Sequence, residues 1–156
     1  MRVLHKLITT GIGLGYSPIA PGTAGALGGC LVAFILGKYT AYPNVILAFL
    51  ILLFLVLGIY SSNKMEKEWG KDPSKIVIDE VVGMWISLWM LPLGWWYIVS
   101  AFTLFRLLDI YKPFFIKKME KLKGGWGMMM DDVLAGIYAN VIIQLVSAII
   151  ICMNRQ

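Results

Sequence analysis

Asp79-Glu-Val-Val-Gly-Met-Trp-Ile-Ser-Leu-Trp-Met-Leu-Pro92-Leu-Gly94-Trp-Trp-Tyr97 opens a stretch, closing at Asp109, whose reading decides the fold. As one helix, residues 79 to 109 would run roughly 45 Å and put Asp79 and Asp109 on opposite sides of a membrane. Pro92 and Gly94 read instead as a turn, with Trp95, Trp96 and Tyr97 beside it as an interfacial aromatic belt. The stretch is then a helical hairpin with arms at about 79–91 and 95–110, and Asp109 returns to the side of Asp79. The arms are shorter than the ~20 residues of a full span, so the hairpin is expected to be re-entrant, tilted or partly buried against longer helices.

The rest of the chain agrees with a membrane setting. Hydrophobic residues make up 59% of the 156 residues and charged residues only 15%, too apolar for an ordinary soluble domain. Residues 44 to 62, 81 to 105 and 133 to 153 carry no formal charge, and runs of about 20 apolar residues span a bilayer. The expected architecture is all-α: a small multi-pass helical bundle of four to five apolar helices, forming one membrane-embedded unit over residues 1–156. Arg2 and Lys6 precede a segment rich in glycine with Pro18 and Pro21, which argues against a cleavable signal peptide. Cys30 and Cys152 lie in apolar segments and read as small hydrophobes rather than a disulfide or metal pair. A lone His5 offers no support for an imidazole metal site or a His-based triad.

Taken in order, residues 7 to 22 are expected to form a short helix and a loop. Thr23 is placed as the N-cap of a helix from Ala24 to about Lys38, and Ser17 to Thr23 reads either as a cap and turn or as a phosphate-binding loop. Gly25, Gly28 and Gly29 would allow close helix packing. A span follows from Asn44 to Tyr60. Ser61 to Lys75 reads as a polar loop or short amphipathic helix, with Glu66, Glu68 and Asp72 on a solvated face. Lys112 to Lys123 is a second basic loop, and a final span runs from Val133 to about Cys152. On it Asn140 and Gln144 are expected to hydrogen-bond to a neighbouring helix.

Five passes with the N-terminus inside put Arg2, Lys6, both lysine loops and Arg106 on one face, leaving Lys38 and Arg155 for the other. Twelve of the 14 basic residues then lie on the side expected to be cytoplasmic. The positive charge of +5 comes without a basic stripe or recognition module, so nucleic acid is not an expected partner. No feature of the sequence sets an oligomeric state.

Five of the nine acids, Asp79, Glu80, Asp109, Asp131 and Asp132, stand at apolar segment ends on that same face. Acid at the edge of hydrocarbon is costly without a cation. Each has a structural reading: capping or helix-dipole charge for the two adjacent pairs, and an ion pair with Arg106 for Asp109. Together they suggest a site of oxygen ligands only, which favours a hard ion such as Mg²⁺. A metal with lysines and Gly-rich turns suits phosphate chemistry, and at a membrane face the natural substrate is a phospholipid headgroup. The Cys-x5-Arg nucleophile loop, the Asp-x-Asp-x-Thr/Val nucleophile and the Asp-Gly-x2-Ala-Arg motif of alcohol phosphatidyltransferases are all absent.

Four stretches resemble the phosphatidylglycerophosphatase A family: Gly15-Tyr-Ser-Pro-Ile-Ala-Pro-Gly-Thr-Ala-Gly-Ala-Leu27, Ile76-Val-Ile-Asp-Glu-Val-Val-Gly-Met-Trp-Ile86, Phe105-Arg-Leu-Leu-Asp-Ile-Tyr-Lys-Pro113 and Gly124-Gly-Trp-Gly-Met-Met-Met-Asp-Asp-Val-Leu-Ala-Gly136. Ala26 departs from the family's Ser and Phe114-Phe115 from its Trp-Pro. The resemblance implies a bacterial inner-membrane enzyme that hydrolyses phosphatidylglycerophosphate to phosphatidylglycerol and phosphate with Mg²⁺ at the cytoplasmic face. It implies Asp79, Glu80, Asp131 and Asp132 as metal ligands or water-activating base, and Asp109 as a further ligand. It implies Arg106 and Lys112 as phosphate-holding groups, and Thr23 as a phosphate or headgroup contact. A phosphatase for another lipid phosphate, a small carboxylate-lined cation carrier and a non-catalytic scaffold are the alternatives. A carrier would need acids within its spans, and these are uncharged.

Overall fold

A computed structural model describes residues 2–70 and 73–154. Lys71 and Asp72, expected in the first polar loop, and Arg155, expected on the opposite face, lie outside the described residues. The described elements are α1 (Arg2–Thr9), a 3₁₀ turn (Leu14–Tyr16), α2 (Pro21–Tyr39), α3 (Pro43–Trp69), α4 (Ile78–Leu88), α5 (Trp95–Tyr111), α6 (Ile116–Met119) and α7 (Gly125–Met153). Every regular element among the described residues is helical. Three helices, α2, α3 and α7, are long and apolar enough to cross a membrane.

The hairpin forms. α4 and α5 are joined through Pro92 and Gly94, and α5 returns to pack on α4. The two arms differ in kind. With only 11 residues, α4 is about 16 Å long, half of a ~30 Å hydrocarbon core. It is also the central helix: Ile78, Val81, Val82, Gly83, Met84, Trp85, Ser87 and Leu88 are buried, and α2, α3, α5 and α7 all pack around it. It is therefore apolar on most of its circumference, as an internal helix must be.

A buried half-span leaves carbonyls at its C-terminus that water cannot reach. Asn140 of α7 answers this. Its Nδ2 donates to Ser87 O at 3.1 Å and to Trp89 O at 2.7 Å. The expected bond from Asn140 to a neighbour is thus present, whereas Gln144 donates to Asn140 Oδ1 on its own helix at 2.7 Å.

Gly83 and Gly136 set how closely α4 and α7 approach. A Cβ on Gly136 would fall 2.4 Å from Gly83 O, and one on Gly83 would fall 2.8 Å from Asp132 O. Backbone meets backbone here, as at small-residue crossings in membranes. The glycines of α2 behave as expected: Gly25 abuts Val77, Gly29 abuts Met84 and Val81 O, and Gly28 receives Leu14.

Three boundaries differ from the sequence reading. α2 starts at Pro21, with Ala20 in the N-cap position at φ 46°, so Thr23 lies inside the first turn and caps nothing. Proline with its preset φ and no N–H suits the first helical position. α3 continues past Tyr60 to Trp69, because Lys64 to Glu68 are good helix formers and no breaker intervenes before Gly70. α7 begins at Gly125 rather than Val133, its first turn held by Asn63 Oδ1 accepting from Gly125 N at 2.8 Å. Asp131 and Asp132 are consequently interior to α7, and the capping explanation for them fails. His5 is engaged with Ser61 Oγ at 3.1 Å, joining α1 to α3.

Gly136→Val should destabilise the fold by about 2 kcal/mol, since the added atoms meet backbone that must move. A lowered thermal unfolding midpoint in detergent would show it. Gly94→Ala, with nothing within 4 Å of the new Cβ, should leave the midpoint unchanged. Equal midpoints for both variants would mean the α4–α7 contact is not a tight one.

Candidate active site

Asp79 and Glu80 lie in the first turn of α4, four and three residues before Gly83. Asp132 lies four residues before Gly136 on α7. The glycine crossing therefore stands one turn below each acidic position, and close backbone approach carries the carboxylates toward one another. Oxygens of Asp79, Glu80 and Asp132 lie within 4.8 Å of one another. Glu80 also closes on the start of α2, where a Cβ at Gly22 would collide with its Oε1.

α5 supplies the next pair. Arg106 and Asp109 are three residues apart and joined through Nη1 and Oδ2 at 2.5 Å. Lys112 follows α5 with φ 46°, a left-handed conformation that is uncommon without glycine. There its Nζ reaches Asp131 Oδ2 at 2.7 Å and Glu120 Oε1 at 2.6 Å. Burial works to lower the Lys112 ammonium, but the bonds to Asp131 and Glu120 outweigh it and hold its pKa above the usual lysine range. Lys112 is therefore a fixed cation at neutral pH.

All these residues line one open cavity of about 710 Å³. The five predicted carboxylates are brought together, along with Arg106 and Lys112. Thr23 is not in the cavity wall; Ala20, Pro21 and Gly22 of the same segment are. Lys117, Lys121, Glu66 and Glu120 also line it and were not among the expected site residues. Glu66, read as part of a solvated face, reaches the cavity because α3 continues as a helix. Lys117 and Lys121 stand four apart in the second basic loop, a spacing that was the available signal for one helical face.

The ion pairs divide the five acids. Asp109 is matched by Arg106 and Asp131 by Lys112. Asp79, Glu80 and Asp132 have no basic partner among the described residues, and they are the three whose oxygens converge. If all three were ionised within 4.8 Å, they would repel by about 3 kcal/mol per pair at an effective dielectric of ~20, a cost that a bound cation or a retained proton relieves. The sum, about 10 kcal/mol, is comparable with a whole folding stability. Glu80 Oε2 and Asp131 Oδ1 are in addition buried with no hydrogen-bond partner. A hard divalent cation fits this set: oxygen donors only, an excess of negative charge and unused lone pairs. The arrangement can hold such a cation beside two fixed cationic side chains, which is a setting for a phosphate group.

Residues 7–147 match the family model described as phosphatidylglycerophosphatase A. A Bacteroides thetaiotaomicron protein described as "Putative phosphatidylinositol-3-phosphatase" is 49% identical over 90% of this chain and 91% of its own length. A Haemophilus influenzae phosphatidylglycerophosphatase A is 44% identical over 88% of this chain and 85% of its own length. That of Escherichia coli is 36% identical over 84% and 76%. No solved structure matches the chain.

Mg²⁺ should raise the thermal midpoint of the purified protein, because a ligand that binds only the folded state stabilises it. The Asp79→Asn/Asp132→Asn pair should abolish that increment while raising the metal-free midpoint, since two of the three repelling charges are gone. Thermal scans with Mg²⁺ and with EDTA check both halves. An undiminished Mg²⁺ increment in the double variant would exclude this trio as the site.

Proposed function

The chain belongs to the phosphatidylglycerophosphatase A family, and we propose that it hydrolyses phosphatidylglycerophosphate to phosphatidylglycerol and phosphate, with Mg²⁺, at the cytoplasmic face of a bacterial membrane. The observation that carries this reading is the unpaired trio of Asp79, Glu80 and Asp132 beside Arg106 and Lys112 in one cavity. Family membership and the two relatives named for this activity support the substrate. Twelve of 14 basic residues falling on the site's side of the membrane supports the face.

In this mechanism Asp79, Glu80 and Asp132 would hold the ion, and Asp109 and Asp131 share its cavity. Mg²⁺ bound there supplies Lewis-acid polarisation of a phosphoryl oxygen. Arg106 and Lys112 hold the remaining phosphoryl oxygens and offset the charge that builds up during hydrolysis. Each is kept in place by its own carboxylate, Asp109 and Asp131. Asp131 has a second role. Its Oδ2 is taken by Lys112 while Oδ1 is buried and free, so Oδ1 accepts the proton of the attacking water as general base. The water oxygen bonds to phosphorus, the ester P–O bond breaks, and the leaving alkoxide takes up the proton that Asp131 accepted, to become the alcohol of the lipid product, which returns Asp131 to its carboxylate form.

The 49% identical relative named for phosphatidylinositol 3-phosphate supports a second reading, in which that lipid is the substrate. The two lipids share their reacting geometry. Each carries a phosphate monoester and a phosphodiester on carbons separated by a single intervening carbon. The same cation site and the same Arg106 and Lys112 would serve both.

Phosphate release from phosphatidylglycerophosphate in detergent micelles should require Mg²⁺ and stop with EDTA. Asp79→Asn and Asp132→Asn should each lower kcat by about a hundredfold or more. Near-normal rates in both variants would overturn the site assignment. Parallel assays with phosphatidylinositol 3-phosphate decide between the substrates by relative kcat/KM. For the face, a cysteine introduced as Lys118→Cys in a background without Cys30 and Cys152 should react with an impermeant maleimide in inverted vesicles and not in intact cells. The reverse pattern would place the site outside.

A further inference from the structure

The five site acids lie deeper in the cavity than its lysines, while Glu66 and Glu120 also line the outer wall, Glu120 already paired with Lys112. Buried Asp131 and Asp132 and half-buried Asp79, Glu80, Arg106 and Asp109 form the cavity interior. Half-buried Lys112 stands next, and the exposed Lys117 and Lys121 form a basic rim. The rim lysines belong to the strap between α5 and α7. That strap is seated by fully buried Ile116, and Gly127 lies so close beneath it that a Cβ would fall 2.4 Å from Leu122 O. Neither rim lysine makes an ion pair among the described residues. Neighbouring Lys118, by contrast, is outside the cavity wall and sits over the Phe115 ring at 4.3 Å.

The interior already holds a cation site, Arg106 and Lys112 for the phosphate monoester, so two further unpaired cations at the rim call for a second anion. Both substrates considered above carry one. Their phosphodiester links the headgroup to the acyl chains, so it lies farther out than a monoester held at the buried acids, within reach of the cavity rim. We propose that Lys117 and Lys121 bind the phosphodiester of the substrate, and that they select lipids with a monoester and a diester over lipid phosphates that lack the diester, such as phosphatidic acid. This inference rests on the lipid-phosphatase reading.

The test is kinetic, in nonionic detergent so that no bulk anionic surface contributes. Lys117→Ala/Lys121→Ala should raise KM for phosphatidylglycerophosphate about tenfold, the scale of one or two exposed charge-assisted contacts, with kcat nearly unchanged. Lys117→Arg/Lys121→Arg should restore KM, and Lys118→Ala should not alter it. Phosphatidylglycerol, which has only the diester, should inhibit the alanine variant about tenfold less well than the wild type, whereas phosphatidic acid, which has only the monoester, should inhibit both equally. An unchanged KM, no inhibition of the wild type by phosphatidylglycerol, or equal weakening of both inhibitors would refute diester recognition. A folded wild type that releases no phosphate from either candidate lipid would refute the phosphatase reading itself.

Discussion

Three unpaired carboxylates held within 4.8 Å are a repulsion that the rest of the fold must contain. With all three ionised this repulsion would be about 10 kcal/mol, comparable with the stability of a typical domain. Containing it requires rigid backbone behind each acid and a cation in front. The backbone comes from the Gly83–Gly136 crossing, where α4 and α7 touch without intervening side chains. The same crossing that packs the bundle therefore also sets the spacing of the three converging carboxylates.

A polar centre at the edge of a bilayer also limits the helices that bear it. α4 presents Asp79 and Glu80 to the cavity in its first turn and ends at Leu88, just before the exposed Trp89 and Met90. The carbonyls stranded there are met by Asn140, so the half-span is tolerated where lipid-exposed irregular backbone would not be. Around it, the three long apolar helices meet the membrane. Charge becomes progressively more exposed from the acids through Lys112 to the lysine rim, an order that would draw in an anionic headgroup while the acyl chains stay in lipid.

Much of this was legible in the residues. Pro92 and Gly94 marked the hairpin, the uncharged runs marked the long helices, and four motifs marked the family and the cavity. The misplaced boundaries share one cause. Changes of polarity set the expected helix ends, with Ser61 to Lys75 as a loop or a separate short helix, yet α3 continues unbroken through Lys64 to Glu68 and α7 begins in Gly125-Trp-Gly. Helices end at breakers and caps rather than at changes of polarity. Asn63, which holds the first turn of α7, is 62 residues away in sequence, and no local pattern reveals such a partner.

The sequence by itself determined the apolar helical class, the hairpin and the identity of the chemical groups, because these follow from local hydrophobicity, breakers and residue types. Asp109 already had Arg106 three residues away, and only the tertiary structure decided how the other four acids divide. Asp109 and Asp131 are neutralised by Arg106 and Lys112, while Asp79, Glu80 and Asp132 are left to converge. Tertiary structure likewise removed Thr23 from the cavity and added Lys117 and Lys121. The physical reason is that charge interactions depend on distance in space: a helix crossing between residues more than 50 positions apart brings the unpaired acids together, and the Lys112–Asp131 pair joins residues 19 apart.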